Sequence, residues 1–154
     1  MTKAARTGPN NDGALDARFI ESLLGYNVRR ASLTIIGHFM DRIAPHKLGP
    51  VDFSILSLIK NNPGITSRQL CTALGILPPN LVGLIHALEK RALLERRAHP
   101  HDGRALGLHL SGAGLELMRN AERTAVALEE EAASRLTERE RKTLMRLLQK
   151  IYLP

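Results

Sequence analysis

The chain has 154 residues, enough for one domain with a substantial core and short for two independent ones. Its 22 Lys and Arg against 15 Asp and Glu leave a net charge of +7, an excess that favours a polyanionic partner, nucleic acid ahead of an anionic membrane surface. A single cysteine, Cys71, excludes an intramolecular disulfide, and no apolar run approaches the roughly 18 residues of a membrane span, so a cytoplasmic protein without a membrane role is expected.

Residues 1–14 are polar, with Gly, Pro and Asn, and are expected to form a disordered tail. From 15 to 44, Phe19, Leu23, Tyr26, Leu33, Ile36 and Met40 recur at helical spacing, which predicts one long helix stopped before Pro45. A second helix opens at Pro50, is apolar on most sides (Phe53, Ile55, Leu56, Leu58, Ile59), and stops at Asn61-Asn62-Pro63-Gly64. Thr66-Ser67-Arg68-Gln69 is a capping box opening a third helix that Gly75 breaks, and a fourth runs from Pro78 to Arg91. Alternating apolar residues in 93–97 and 106–110 then flank a charged, turn-rich stretch, 99–104, as a β-hairpin requires. Ser111 caps a helix reaching about Leu136, and Thr137-Glu138-Arg139-Glu140 caps a last one striped by Leu144, Leu147, Leu148 and Ile151. The fold class is therefore mainly α with a small β-hairpin wing.

Helix, glycine turn, helix and hairpin in this order make a winged helix-turn-helix, whose second helix enters the DNA major groove. Cys71 and Ala73 supply the small side chains needed where the two helices pack, so Cys71 reads as core and not as a redox sensor. Several stretches carry a more specific signal: Pro63-Gly64-Ile65-Thr66, Gln69 to Gly75, Leu88 to Arg96, and above all Asp102-Gly103-Arg104 followed by Leu108-His109-Leu110-Ser111 and Gly114. In these the chain resembles the MarR (multiple antibiotic resistance regulator) family of winged helix-turn-helix transcriptional regulators. The resemblance covers about residues 15 to 152. It implies a homodimer on pseudo-palindromic duplex DNA, with 15–44 as a dimerisation helix, 48–110 as the DNA-binding region and 111–154 completing the dimer.

Residue chemistry supports this independently. Arg104 on a hairpin tip suits a narrow minor groove, and Asp102 two residues earlier can orient its guanidinium. Between Lys90 and Arg104 five basic residues stand against two acidic ones. Phosphate contacts are expected from Ser67, Arg68, Arg96 and Arg97. The recognition helix departs from the family pattern of Ser, Thr or Arg readers by offering Pro78, Pro79, Asn80, Gly83 and His86, of which Asn80 is suited to pair with adenine.

The resemblance also implies a small-molecule effector, an aromatic carboxylate or its acyl-CoA thioester, that releases DNA. All five aromatic residues lie outside the helix-turn-helix and wing, so Tyr26, Phe39 and Phe53 are candidates for an apolar pocket, with Arg29, Arg30, His38 or Arg42 as its cation. The alternative is a winged-helix protein-interaction module, or a constitutive DNA-binding protein without an effector. No metalloprotease, phosphate-loop, nucleophile-elbow or dinucleotide motif is present, and His99, His101 and Asp102 on a hairpin make a poor metal set. Neither an enzyme nor a cofactor is expected.

Overall fold

The computed structural model describes the backbone of residues 15–99 and 102–153, and the side chains of all of these except 99 and 102–105. The expected tail lies outside the described residues. The chain divides into two compact units, Met1–Leu33 and Thr34–Pro154.

In the first unit the single long helix expected from the apolar spacing is broken. A short helix α1 (Arg18–Glu21) is followed by α2 (Leu24–Ile43), which runs on into the second unit. The break has a local cause in side chains that compete for backbone carbonyls. The Ser22 hydroxyl donates to the Phe19 carbonyl at 2.6 Å, and the Asn27 amide donates to the Glu21 and Leu23 carbonyls at 2.7 and 2.8 Å. The Glu21 carbonyl, which in an unbroken helix would accept from Gly25, is thus taken by Asn27.

The second unit continues through a single 3-10 turn (Ala44–His46) that absorbs Pro45, then α3 (Pro50–Asn61), α4 (Ser67–Leu74) and α5 (Pro78–Lys90). The Asp52 carboxylate accepts from the Gly49 amide at 3.0 Å at the start of α3. The Thr66 and Gln69 side chains satisfy each other's backbone amides at the start of α4, and Gly75 ends it at φ +63°, as expected. Two antiparallel strands follow, β1 (Leu94–His99) and β2 (Asp102–Leu110), then α6 (Gly112–Ala132) and α7 (Glu138–Tyr152). The strands reach further than the alternation indicated: backbone pairing extends to His99 and Asp102, with the register shifting between Ala98 and His99. Helix α6 ends at Ala132, short of Leu136; the Leu136 amide donates to the Ala133 carbonyl at 2.9 Å in the connection to Thr137, whose extended backbone, φ −65° and ψ 159°, caps α7.

The core of this unit is aliphatic, as a chain with 3% aromatic residues and no Trp requires. Ile43, Ile55, Leu56, Ile59, Leu70, Leu81, Ile85, Leu88, Leu108, Met118 and Leu128 are fully buried. Apolar α3, buried through Ile55, Leu56 and Ile59, stands at its centre. Cys71 is half-buried against this core.

The wing joins the core at backbone level. The Gly64 amide donates to the Leu108 carbonyl and the Leu108 amide to the Ile65 carbonyl, each at 2.9 Å, so the segment before α4 pairs with β2. A Cβ on Gly107 would stand 2.8 Å from the Gly64 oxygen, and Gly64 itself has φ +88°. At the other end Ser111 donates to the Ala92 carbonyl at 2.6 Å and accepts from the Gly114 amide at 3.0 Å. A Cβ on Gly114 would lie 2.0 Å from the Leu93 oxygen. Gly114→Ala is therefore expected to destabilise the chain by about 1–3 kcal/mol or more in urea denaturation. Gly112→Ala, with nothing within 4 Å of the added carbon, should change stability by less than about 0.5 kcal/mol.

Candidate nucleic-acid interface

Leu81, Ile85 and Leu88 anchor α5 in the core, and this fixes which residues look outward. The opposite face, at spacings of three and four, carries Pro79, Val82, Gly83 and His86, all exposed, with Asn80 exposed in the first turn. The structure therefore brings Pro79, Asn80, Gly83 and His86 to the surface of one helix. Arg68 is exposed and Ser67 half-buried at the start of α4. Both border a hollow of about 430 Å³ shared with Pro78 and Val82. Val82 was missed by sequence reasoning, although its position three residues after Pro79 and off the Leu81-Ile85-Leu88 stripe is a signal that marks it.

The wing arginines are less free than their sequence context suggests. Arg96 makes a two-pronged pair with Glu89 of α5, Nε to Oε1 at 2.6 Å and Nη2 to Oε2 at 3.2 Å. Its guanidinium holds the Glu89 carboxyl below the usual range, and the carboxylate raises Arg96 in turn. Arg97 pairs with Glu95, its Nε donating at 2.9 Å. Arg91 donates to the Lys47 and His46 carbonyls at 2.8 and 3.2 Å, tying the end of α5 to the turn after α2. Asp102 and Arg104 lie on the backbone of β2, and their side chains are outside the described residues.

A second feature of the larger unit is an apolar cleft of about 630 Å³ between α2, α3, α6 and α7. Phe39 and Phe53 meet there edge to face, ring centroids 5.5 Å apart, beside Ile36, Val126 and Met145. The cation at this cleft is Arg141, accompanied by Glu129 and Glu130. Arg141 escaped the sequence reading because it stands among many charged residues at the start of α7. Arg42 is instead paired with Glu131 at 2.5 Å, and His38 is half-buried without lining the cleft. Tyr26, Arg29 and Arg30 belong to the first unit.

This geometry has counterparts among known proteins. Residues 46–105 match the model of the MarR family, spanning α3 to the wing. The transcriptional repressor CouR, solved bound to a 23-mer DNA duplex, is 34% identical with a TM-score of 0.84, covering 90% of this chain and 99% of CouR. The chain belongs to the MarR family. CouR has also been solved bound to p-coumaroyl-CoA (32% identity, TM-score 0.79, 89% of this chain and 95% of that one). Among curated MarR-type relatives, a putative transcriptional regulatory protein for the hcr operon of Thauera aromatica is 28% identical over 84% of this chain and 78% of its own length. The Mycobacterium tuberculosis MarR family protein Rv2887, solved with salicylic acid, is 25% identical with a TM-score of 0.68, covering 84% of this chain and 96% of that one. The winged helix fold of this MarR-family chain is thus shown, and no single helix among its described residues is long and apolar enough to cross a membrane.

The Glu89–Arg96 pair yields a pH prediction. A carboxyl held low in the folded state contributes stability that is fully present above its unfolded value and is lost as pH falls through the lower folded one. Glu89→Gln should therefore lower stability at pH 7 by on the order of 1 kcal/mol or less, as befits a partly exposed pair. In urea denaturation the difference from wild type should shrink once the pH drops below the ordinary glutamate range.

Proposed function

We propose that the chain is a homodimeric transcriptional repressor that binds pseudo-palindromic duplex DNA and releases it when an aromatic acid or aromatic acyl-CoA thioester occupies the cleft. The DNA reading is carried by one observation: α5 is anchored by Leu81, Ile85 and Leu88 so that its other face stands outward beside Arg68, on a frame like that of CouR on its duplex. In this reading Arg104 enters a minor groove, Asp102 orients it, Ser67 and Arg68 meet phosphates, and Asn80 and His86 face base edges.

Unpartnered apolar surface supports the dimer. In the first unit Leu15, Phe19 and Leu24 are 91%, 79% and 64% exposed. In the second, α7 buries no residue, and Leu144, Met145, Leu147, Ile151 and Tyr152 all stand exposed. A two-fold pairing that covers these faces sets two recognition helices about one DNA turn apart. The effector reading rests on the cleft, whose size and aromatic lining suit one small aromatic group, with Arg141 as partner for its anionic end. Glu129 and Glu130 border the same cleft, which leaves Arg141 as the one cation among the described residues that line it.

Wild type should bind duplex DNA tightly at low salt and lose affinity steeply as salt rises, as phosphate contacts require. Arg104→Ala should bind at least about tenfold more weakly while remaining dimeric in light scattering, the loss corresponding to about 1.4 kcal/mol. An Arg104→Ala protein with unchanged affinity contradicts the wing assignment. For the cleft, Arg141→Ala should weaken binding of salicylate or p-coumaroyl-CoA by about tenfold in calorimetry, the worth of one charge-assisted hydrogen bond. Its DNA affinity should be unchanged. If neither probe binds wild type, the constitutive alternative stands.

A further inference from the structure

Helix α5 faces outward with a surface unlike that of a hydrogen-bonding reader. Leu77, just before it, is 69% exposed and Val82 63% exposed, and Pro78 and Pro79 are exposed between them. No Lys or Arg occurs from Gln69 to Glu89. A single exposed aliphatic residue means little, but four neighbours at the start of a helix make a continuous apolar patch. Gly83 adds an independent sign. It lies inside α5 with helical backbone, and a Cβ there would meet nothing within 4 Å, so neither packing nor conformation calls for glycine. An interior helical glycine costs about 0.5–1 kcal/mol relative to alanine, which points to another body approaching the backbone at this position.

We propose that α5 reads its operator through thymine C5 methyl groups, which Val82 and Pro79 contact while Gly83 lets the helix backbone come close to the base edges. The only apolar group that a base pair presents in the major groove is that methyl. The face is continuous with a cation suited to a phosphate, since Arg68 borders the same hollow as Val82 and Pro78. Discrimination then comes from methyl contacts and close fit more than from bidentate hydrogen bonds, with Asn80 and His86 in supporting roles. This proposal rests on the DNA-binding reading above.

The test uses a duplex selected by the full-length protein, remade with single dT to dU replacements that remove one methyl and alter no hydrogen-bonding group. Wild type is expected to lose about fourfold in affinity at one or two positions per half-site, the worth of one buried methyl. Val82→Ala, checked by thermal melting, should show that loss on the dT duplex and no further loss with dU. Gly83→Ala should melt higher than wild type and yet bind at least tenfold more weakly. If no dU position changes wild-type affinity, or if the Val82→Ala and dU losses simply multiply, the proposal is overturned, and a Gly83→Ala protein that binds as wild type overturns the close approach. Failure of wild type to bind any duplex at low salt is a separate result: it removes the DNA reading itself and leaves this face to a protein partner.

Discussion

The presentation of the interface depends on how the wing is attached. Backbone meets backbone at two places where no side chain fits: Gly107 against Gly64, and Gly114 against the Leu93 carbonyl. Between them the Leu108 bridge extends the hairpin by one pair onto the segment before α4, and Ser111 closes the other end through the Ala92 carbonyl. Hydrogen bonds between main chains tolerate little sliding, so β2, α4 and α6 are held in one register whatever the surface residues do. The Arg96–Glu89 pair then ties β1 to α5, and Arg91 ties the end of α5 to the turn after α2. Helix α5 and the hairpin are thereby held as one preorganised surface, the surface proposed to meet a duplex.

That attachment uses charge that the composition alone would assign to a partner. Of the five basic residues between Lys90 and Arg104, Arg96 and Arg97 are paired with carboxylates and Arg91 serves backbone carbonyls. Much of the local positive excess is therefore structural. In the proposed DNA reading, attraction is left to fewer cations, Arg68 and the wing tip among them, and recognition leans on shape and apolar contact where α5 meets the groove.

The elements were legible in the sequence wherever a residue type acts on its own backbone. Thr66 and Gln69, Gly75, Pro50, Ser111, Thr137 and Glu140 each mark a boundary by local hydrogen bonding or by φ, and each boundary is found where those residues put it. The break at Ser22 and Leu23 was hidden because apolar periodicity continues across it, whereas the disruption comes from Ser22 and Asn27 side chains bonding to carbonyls. Partnerships between distant residues were equally invisible: Arg42 with Glu131, Arg96 with Glu89, and Arg141 at the cleft are set by tertiary packing. Phe39 and Phe53 were found because aromatics absent from the helix-turn-helix had to gather elsewhere, and Val82 was passed over because an exposed valine draws no notice until the buried face of its helix is known.

The central claim, that the fused helix pair and wing of two chains address one duplex, is tested most directly by hydroxyl-radical footprinting of the wild-type protein on its selected DNA. Two symmetric sets of protection are expected, their centres about 10 base pairs apart, as paired recognition helices require. Flanking protection across the adjacent minor grooves should mark the wings. A single short protected stretch without two-fold symmetry or minor-groove flanks would contradict the account.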